Sequence, residues 1–394
     1  MKYIQGGICA IKGVRAGGIK SGKMGLAVIQ AEGSAAGVYT RNKVIAAPLV
    51  VTRRHILKTG MLAGVIVNSG NANAFTGLQG IVDARIMAST LASKLGVAEE
   101  LIGVASTGVV GRKLNTGWVS ANIDSVLNSM GEDADASMSA ARAIMTTDTI
   151  PKEIAIEMDC GIRIAGIAKG SGMIEPNMGT MLAFIYTDAE VHPDLLQSCL
   201  TVSVDKSFNM LVVDGDTSSN DMVLVTATGQ SGISPELSEL QNGLDYVLTE
   251  LAKMIAMDGE GATKLIESKV TGAATEHDAR LAAKAIVRSS LVKSAIFGQD
   301  PNWGRIIVAA GYSGADMDQT KISLSISAGT EVVELVKNGE VISNDEATLS
   351  QLKSIMAQDE IFIITDLGMG HESATAWGCD LTYDYVRINA EYTT

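Results

Sequence analysis

The stretch Lys169-Gly-Ser-Gly-Met-Ile-Glu-Pro-Asn-Met-Gly179-Thr180-Met-Leu-Ala-Phe-Ile-Tyr186 sets a hydroxyl residue where a loop meets a strand. Its first half carries glycines and a proline, which do not sit in a helix interior. Its second half, from Thr180 to Thr187, is a short apolar run rich in β-formers and bounded by Asp188, and it predicts a buried strand. The Thr180 hydroxyl could attack the Gly179–Thr180 peptide bond. The amine released at Thr180 would then lie beside that hydroxyl and serve as its base. Gly179 makes a strained scissile bond easier to form.

Acyl chemistry of this kind needs donors for a developing oxyanion. Thr107 and Gly108, in Val104-Ala-Ser-Thr-Gly-Val-Val-Gly111, offer a hydroxyl and a backbone N–H at a glycine-punctuated turn. Such donors are worth about 10²–10³ in rate each. Lys169 ends an apolar run and precedes Thr180 by eleven residues, which suits it to an anion such as a carboxylate. A lysine in that position is more often simply solvated. Glu260 lies between two glycines, where a carboxylate is ordinarily a turn residue. Thr146-Thr-Asp-Thr149 reads as a polar helix end.

Other matches are weaker. Gly17 to Lys23 fits G-x-x-x-x-G-K, but Met24 stands where a P-loop needs Ser or Thr, and no periodic helix follows. Asp214-Gly-Asp-Thr-Ser-Ser-Asn-Asp221 lacks the glycine and glutamate of a calcium loop, and His371-Glu372 lacks the second histidine of a zincin.

The elements that must hold these residues follow from period and punctuation. Residues 6–45 predict short strands joined by tight turns, and Val65–Val67 a buried strand running into Asn68-Ser-Gly-Asn71-Ala-Asn73. A helix then begins near Thr76 and stops at Gly96. Ile102 to Val110 is a second strand, with helices over about 115–130 and 133–145. Later come helices from Leu195, Leu244 and Thr275, and strands at Met210–Val213, Val223–Val225, Ile322–Ile326 and Ile361–Ile364.

Bulk composition excludes several classes. The 394 residues suit two or three domains, and 46% hydrophobic against 19% charged residues allows a large core. A net charge of −13 with no Lys/Arg cluster argues against nucleic acid. No apolar run reaches the ~18 residues of a membrane helix, and no signal peptide is expected. Cys9, Cys160, Cys199 and Cys379 form no CxxC pair and read as reduced cysteines of a cytoplasmic protein.

The Lys169–Tyr186 stretch resembles the cleavage segment of the ornithine acetyltransferases, the glutamate N-acetyltransferase family of arginine biosynthesis. The family pattern is Lys-Gly-x-Gly-Met-Ile-x-Pro ending in Met-Ala-Thr-Met-Leu, with Gly179 here in place of the alanine. The Asn68–Asn73 string, the Thr107-Gly108 turn, Lys293-Ser-Ala-Ile-Phe-Gly-Gln-Asp-Pro-Asn-Trp-Gly-Arg305 and the C-terminal Asn389 to Thr394 extend the likeness over the chain.

The resemblance implies a four-layer α/β/β/α sandwich built from fragments 1–179 and 180–394. A catalytic domain would span 1–240, and a smaller α/β domain, 241–394, would complete the substrate site. It implies Thr180 as nucleophile, Thr107 and Gly108 as oxyanion donors, and Thr146 (ahead of Thr147), Lys169, Glu260, Asn389 and Thr394 as substrate ligands. The acetyl group would pass from N-acetylornithine to glutamate without metal or cofactor, in a heterotetramer of two fragment pairs. A self-cleaving amidase or aminopeptidase, acetyl-CoA as an additional donor, and an uncleaved small-ligand binding protein are the competing readings.

Overall fold

The computed structural model describes residues 1–175 and 181–391. Gly179, Thr180 and Thr394 lie outside these. The described chain divides into two compact units, one formed from Met1–Asn209 and Asp216–Leu251, the other from Met210–Gly215 and the residues from Ala252 onward.

The first unit is built on a mixed sheet. Its strands are β1 (Lys2–Tyr3), β2 (Arg15–Ser21), β3 (Met24–Tyr39), β4 (Met61–Asn71), β5 (Ile102–Val109), β6 (Lys152–Glu157), β7 (Arg163–Lys169) and β8 (Leu182–Thr187). The chain then visits β9 (Leu211–Val212), part of the second unit, and returns for β10 (Met222–Ala227). The spatial order is β1-β6-β7-β8-β10-β3-β4-β5, with β2 on the other side of β3's first half.

Both faces of this sheet are buried. Ala27 and Ile29 of β3 and Val65 and Val67 of β4 join one hydrophobic cluster, whereas Leu26, Val28 and Ile66 join another. That alternation is the period-2 signature of a strand packed on two sides. Helix α1 (Ala47–Thr59) links β3 to β4, and α2 (Gly77–Leu95) makes the crossover between the parallel pair β4 and β5. Ala84, Met87, Ala88 and Leu91 of α2 pack on the second cluster with Val119, Ile123 and Val126 of α3 (Thr116–Ser129). Ala136, Ala140, Ala141 and Ile144 of α4 (Ala134–Ile144) fill the first. Helix α5 (Pro193–Lys206) packs on β3 and β10. The first part of α6 (Leu237–Met257) brings Val247 and Leu251 to Gly166 of β7, where a Cβ would stand 2.9 Å from Leu251 Cδ1.

The glycine-dense opening meets expectation in part, since β2 and β3 pair across a tight turn at Gly22. Beyond that turn, residues expected as separate strands joined by turns form one sixteen-residue strand, β3. Gly33 is no turn: a Cβ there would stand 2.0 Å from the Ala227 carbonyl oxygen, where the β3 register shifts between Gln30 and Gly33. The glycine serves a close backbone approach, which sequence punctuation does not distinguish from a bend.

The second unit is a seven-stranded sheet among the described residues. It uses β9, β11 (Leu265–Ala273), β12 (Ser323–Ala328), β13 (Glu331–Lys337), β14 (Glu340–Val341), β15 (Glu360–Asp366) and β16 (Glu372–Cys379) in the order β14-β13-β12-β15-β11-β16-β9. Helix α7 (Glu276–Arg288), capped by Thr275 as its sequence predicts, lays Ala279, Ala283 and Ile286 on β11 and β16. Helices α8 (Ser290–Phe297), α9 (Gly304–Gly311), α10 (Glu346–Met356) and α11 (Tyr383–Glu391) complete it. The class is the expected α/β one, with helices layered on sheets. No helix of the described residues is long and apolar enough to cross a membrane.

Candidate active site

Four candidates of the first unit, Thr107, Gly108, Thr146 and Lys169, converge where β5 and β7 end. Thr107 is buried near the end of β5, and Gly108 follows it with φ 127°. The parallel register sets Gly108 opposite Gly70 of β4, so close that a Cβ on Gly108 would stand 2.4 Å from the Gly70 carbonyl carbon and 2.6 Å from the Asn71 nitrogen. Only glycine combines that backbone angle with that approach.

Lys169 closes β7, and its ammonium donates to Thr107 Oγ1 at 3.1 Å and to Thr146 Oγ1 at 3.2 Å. It is buried, not solvated as such a strand-end lysine ordinarily is. Each threonine hydroxyl, accepting from a cation, can direct its own hydrogen to another acceptor. A hydroxyl polarised in this way is a stronger donor toward a developing oxyanion.

Beneath this group lies a buried ion pair that sequence reasoning missed. Asp148 and Lys152 have fully shielded side chains, with Lys152 Nζ 2.8 Å from Asp148 Oδ1. The same carboxylate accepts the Gly170 N–H at 2.6 Å and the Thr146 N–H at 3.0 Å. It therefore ties the segment bearing Thr146 to the turn that follows Lys169. Burial pushes the Asp148 carboxyl up, but the charges of Lys152 and Lys169 and its hydrogen bonds hold it below the usual carboxylate range. The i,i+4 spacing of Asp148 and Lys152 was the available signal. Pro151 breaks the helical reading that would have made it visible.

The asparagines at the end of β4 and just beyond it serve as scaffold. Asn68 Nδ2 donates to the Asn71 carbonyl at 2.9 Å, Ser106 Oγ donates to Asn68 Oδ1 at 2.6 Å, and Asn73 Nδ2 donates to the Gly80 carbonyl at 2.9 Å. Asn220 Nδ2 reaches the carbonyls of Ala72 and Ser106 at 2.6 and 2.8 Å. These amides satisfy loop carbonyls that would otherwise be buried unpaired. Gly17 to Lys23 forms the β2–β3 hairpin with no helix after it, so no P-loop exists there.

The ends of the described chain flanking residues 176–180 are both anchored. The Glu175 N–H donates to the Asp216 carbonyl at 2.8 Å, and the Met222 N–H to the Met181 carbonyl at 3.0 Å. Beyond Met181, β8 is buried throughout and pairs with β7 and β10.

In the second unit, Glu260 is buried in the loop after α6 and accepts from Asn389 Nδ2 of α11 at 2.8 Å. Gly261 permits this packing, since a Cβ there would lie 2.6 Å from the Tyr385 nitrogen. Thr382 Oγ1 donates to the Gly261 carbonyl at 2.7 Å, and Asp380 accepts the N–H groups of Thr263 and Lys264 at 2.8 and 3.1 Å. Two sequence-distant candidates, Glu260 and Asn389, are thus hydrogen-bonded to each other.

Burial pushes the Cys9 thiol up to about 12 and raises those of Cys199 and Cys379. That disfavours thiolate nucleophiles at these three positions. No grouping of three or more His, Cys, Asp or Glu side chains suited to a metal occurs among the described residues.

Residues 10–394 match the model of the ArgJ family. The chain is 61% identical, over the whole of both chains, to the glutamate N-acetyltransferase of Methanosarcina acetivorans. It is 47% identical over the same full extent to the arginine biosynthesis bifunctional protein ArgJ of Streptococcus thermophilus. A crystal structure of arginine biosynthesis bifunctional protein ArgJ from Bacillus halodurans matches with a TM-score of 0.50 and 45% identity, covering 54% of this chain and all of that one. The chain belongs to the ArgJ family of acyltransferases.

Proposed function

We propose that this chain is a glutamate N-acetyltransferase of arginine biosynthesis that cleaves itself before Thr180 and then carries the acetyl group on that threonine. The observation that carries the reading is the convergence of Thr107, Thr146 and Lys169 at one corner of the first sheet, bonded at 3.1 and 3.2 Å. Family membership supports the acetyl-transfer chemistry. The complete Bacillus halodurans chain corresponds to 54% of this one, and a fragment 180–394 would likewise be just over half of it.

In maturation, Thr180 Oγ1 attacks the Gly179 carbonyl, the C–N bond breaks, and an ester and a free amine result. Water then hydrolyses the ester, leaving Gly179 as a carboxylate and Thr180 as a new N-terminus. An α-amine has an ordinary pKa of about 7.7–8.0, well placed for a general base near neutrality. It takes the Thr180 hydroxyl proton as Oγ1 attacks the acetyl carbonyl of N-acetylornithine. Thr107 and Gly108 receive the oxyanion. As the C–N bond breaks, the proton passes to the departing ornithine amine. The glutamate amine then attacks the acetyl ester, and Thr180 Oγ1 recovers a proton, which makes the kinetics ping-pong.

Thr146, Lys169, Glu260, Asn389 and Thr394 are the proposed substrate ligands, with Lys169 on a carboxylate and Glu260 on an ammonium. The proposal extends to a catalytic domain over 1–240, a second domain over 241–394, a cytoplasmic setting and a heterotetramer of two fragment pairs. Replacing Thr180 by alanine tests it: one full-length band and no acetyl transfer are expected. A variant that is cleaved and active would overturn it.

A further inference from the structure

The two substrates of the proposed reaction differ at one end. Ornithine's side chain ends in an ammonium and glutamate's in a carboxylate, so a group that attracts one repels the other. The acceptor therefore needs a cation of its own, and the first unit holds one outside the proposed ligand set.

Strand registers align Lys20 of β2 with Gly25 of β3, Gly25 with Ser69 of β4, and Ser69 with Thr107 of β5. Register partners share a sheet face, so these four residues form a row running straight to the Lys169–Thr107 contact. Gly25 carries no side chain because the Ala143 carbonyl, which accepts from Ser69 Oγ at 2.7 Å, packs there. A Cβ there would stand 2.5 Å from Ser69 Oγ and 2.0 Å from the Ala143 carbonyl oxygen. Over this glycine Lys20 Nζ donates to Ser69 Oγ at 2.9 Å and to the Met145 carbonyl just past α4.

Both partners of Lys20 are neutral, and an ammonium has three donors, so one remains for an anion. The nearby acidic side chain that acts on Lys20 is Asp148, already paired with Lys152. Lys20 is exposed as a residue, but partial desolvation of its ammonium end and, less so, the Lys169 charge press it toward losing its proton, with Asp148 opposing. Lys20 and Lys169 both feel the Asp148 carboxylate, which Lys152 already pairs.

We infer that Lys20 binds the side-chain carboxylate of the dicarboxylate acceptor and so selects glutamate for the second half-reaction. The inference rests on the acetyl-transfer reading. Its competitor is a purely structural lysine that caps α4 through the Met145 carbonyl.

The test compares the wild-type enzyme with Lys20→Met and Lys20→Arg, measuring each half-reaction separately. Ornithine release from N-acetylornithine without acceptor reports the first, and acetylglutamate formation at varied glutamate reports the second. Lys20→Met should raise the glutamate KM about ten- to hundredfold, the usual worth of a hydrogen bond to a charged group. It should leave ornithine release within about twofold and reduce the preference for glutamate over glutamine, whereas Lys20→Arg should restore much of that preference. An unchanged glutamate KM, or an equal fall in both half-reactions with the glutamate-to-glutamine preference intact, overturns the inference. Should Lys20→Met not fold, a Lys20→Arg enzyme without glutamate preference overturns it as well. Failure of the wild-type enzyme to move acetyl from N-acetylornithine to glutamate would refute the underlying reading instead.

Discussion

Removing the cation beneath the site, as in Lys152→Met, should be among the costliest single substitutions in the first unit. Both side chains of the Asp148–Lys152 pair are fully shielded, and the carboxylate accepts from Lys152, Gly170 and Thr146 at 2.8, 2.6 and 3.0 Å. Deleting one partner of such a pair strands a buried charge and costs about 3–5 kcal/mol. The pH dependence carries a sign. In the wild-type fold the Asp148 carboxyl is held below its unfolded value. Its contribution is therefore present above about pH 4 and lost as pH falls through the lower folded value. Without Lys152 the largest influence holding the carboxyl down is gone, so its folded pKa moves upward. The variant's deficit should then be largest at neutral pH and shrink as pH falls toward about 4. Urea unfolding of both proteins at several pH values between these limits measures it. A neutral-pH deficit below about 1 kcal/mol, the range of an exposed pair, would refute the reasoning, as would one that acid leaves unchanged. The double variant Asp148→Leu, Lys152→Met should recover only part of the loss. The Gly170 and Thr146 amides would remain unpaired, at about 1–3 kcal/mol each.

Two further outcomes follow from the same corner. Gly108→Ala would force a Cβ to 2.4 Å from the Gly70 carbonyl carbon at φ 127°, so a clear loss of thermal stability with abolished acetyl transfer is expected; wild-type melting would contradict the packing. Thr107→Val keeps the shape but removes the hydroxyl that accepts from Lys169, and kcat should fall about 10²–10³-fold with little change in melting temperature. A Thr107→Val enzyme of ordinary kcat would remove Thr107 from the oxyanion role.

Much of the scaffold was legible because hydrophobic period and caps are local. Thr275 caps α7, Gly96 ends α2, and the apolar runs at Val65–Val67 and Ile102–Val110 lie on β4 and β5. Non-local packing was not legible. Gly33 lies in a stretch that reads as turns and Gly25 opens an apolar strand piece, yet each answers a carbonyl arriving from a distant segment, Ala227 or Ala143. Within the site, Lys169, Thr107 and Thr146 were singled out by chemistry and motif. The roles of Asp148 and Lys20 depend on contacts that no spacing announces. Asp148 sat in an apparent helix end, and Lys20 in a discarded phosphate-loop match, until strand register set it opposite Gly25.

The most direct measurement of the central claim is a mass spectrum of the purified protein, taken before and after N-acetylornithine is added without glutamate. The account predicts two chains, 1–179 and 180–394, with one acetyl group gained on the Thr180 hydroxyl of the second and removed again by glutamate. A single full-length chain, or an acetyl group held anywhere else, would contradict it.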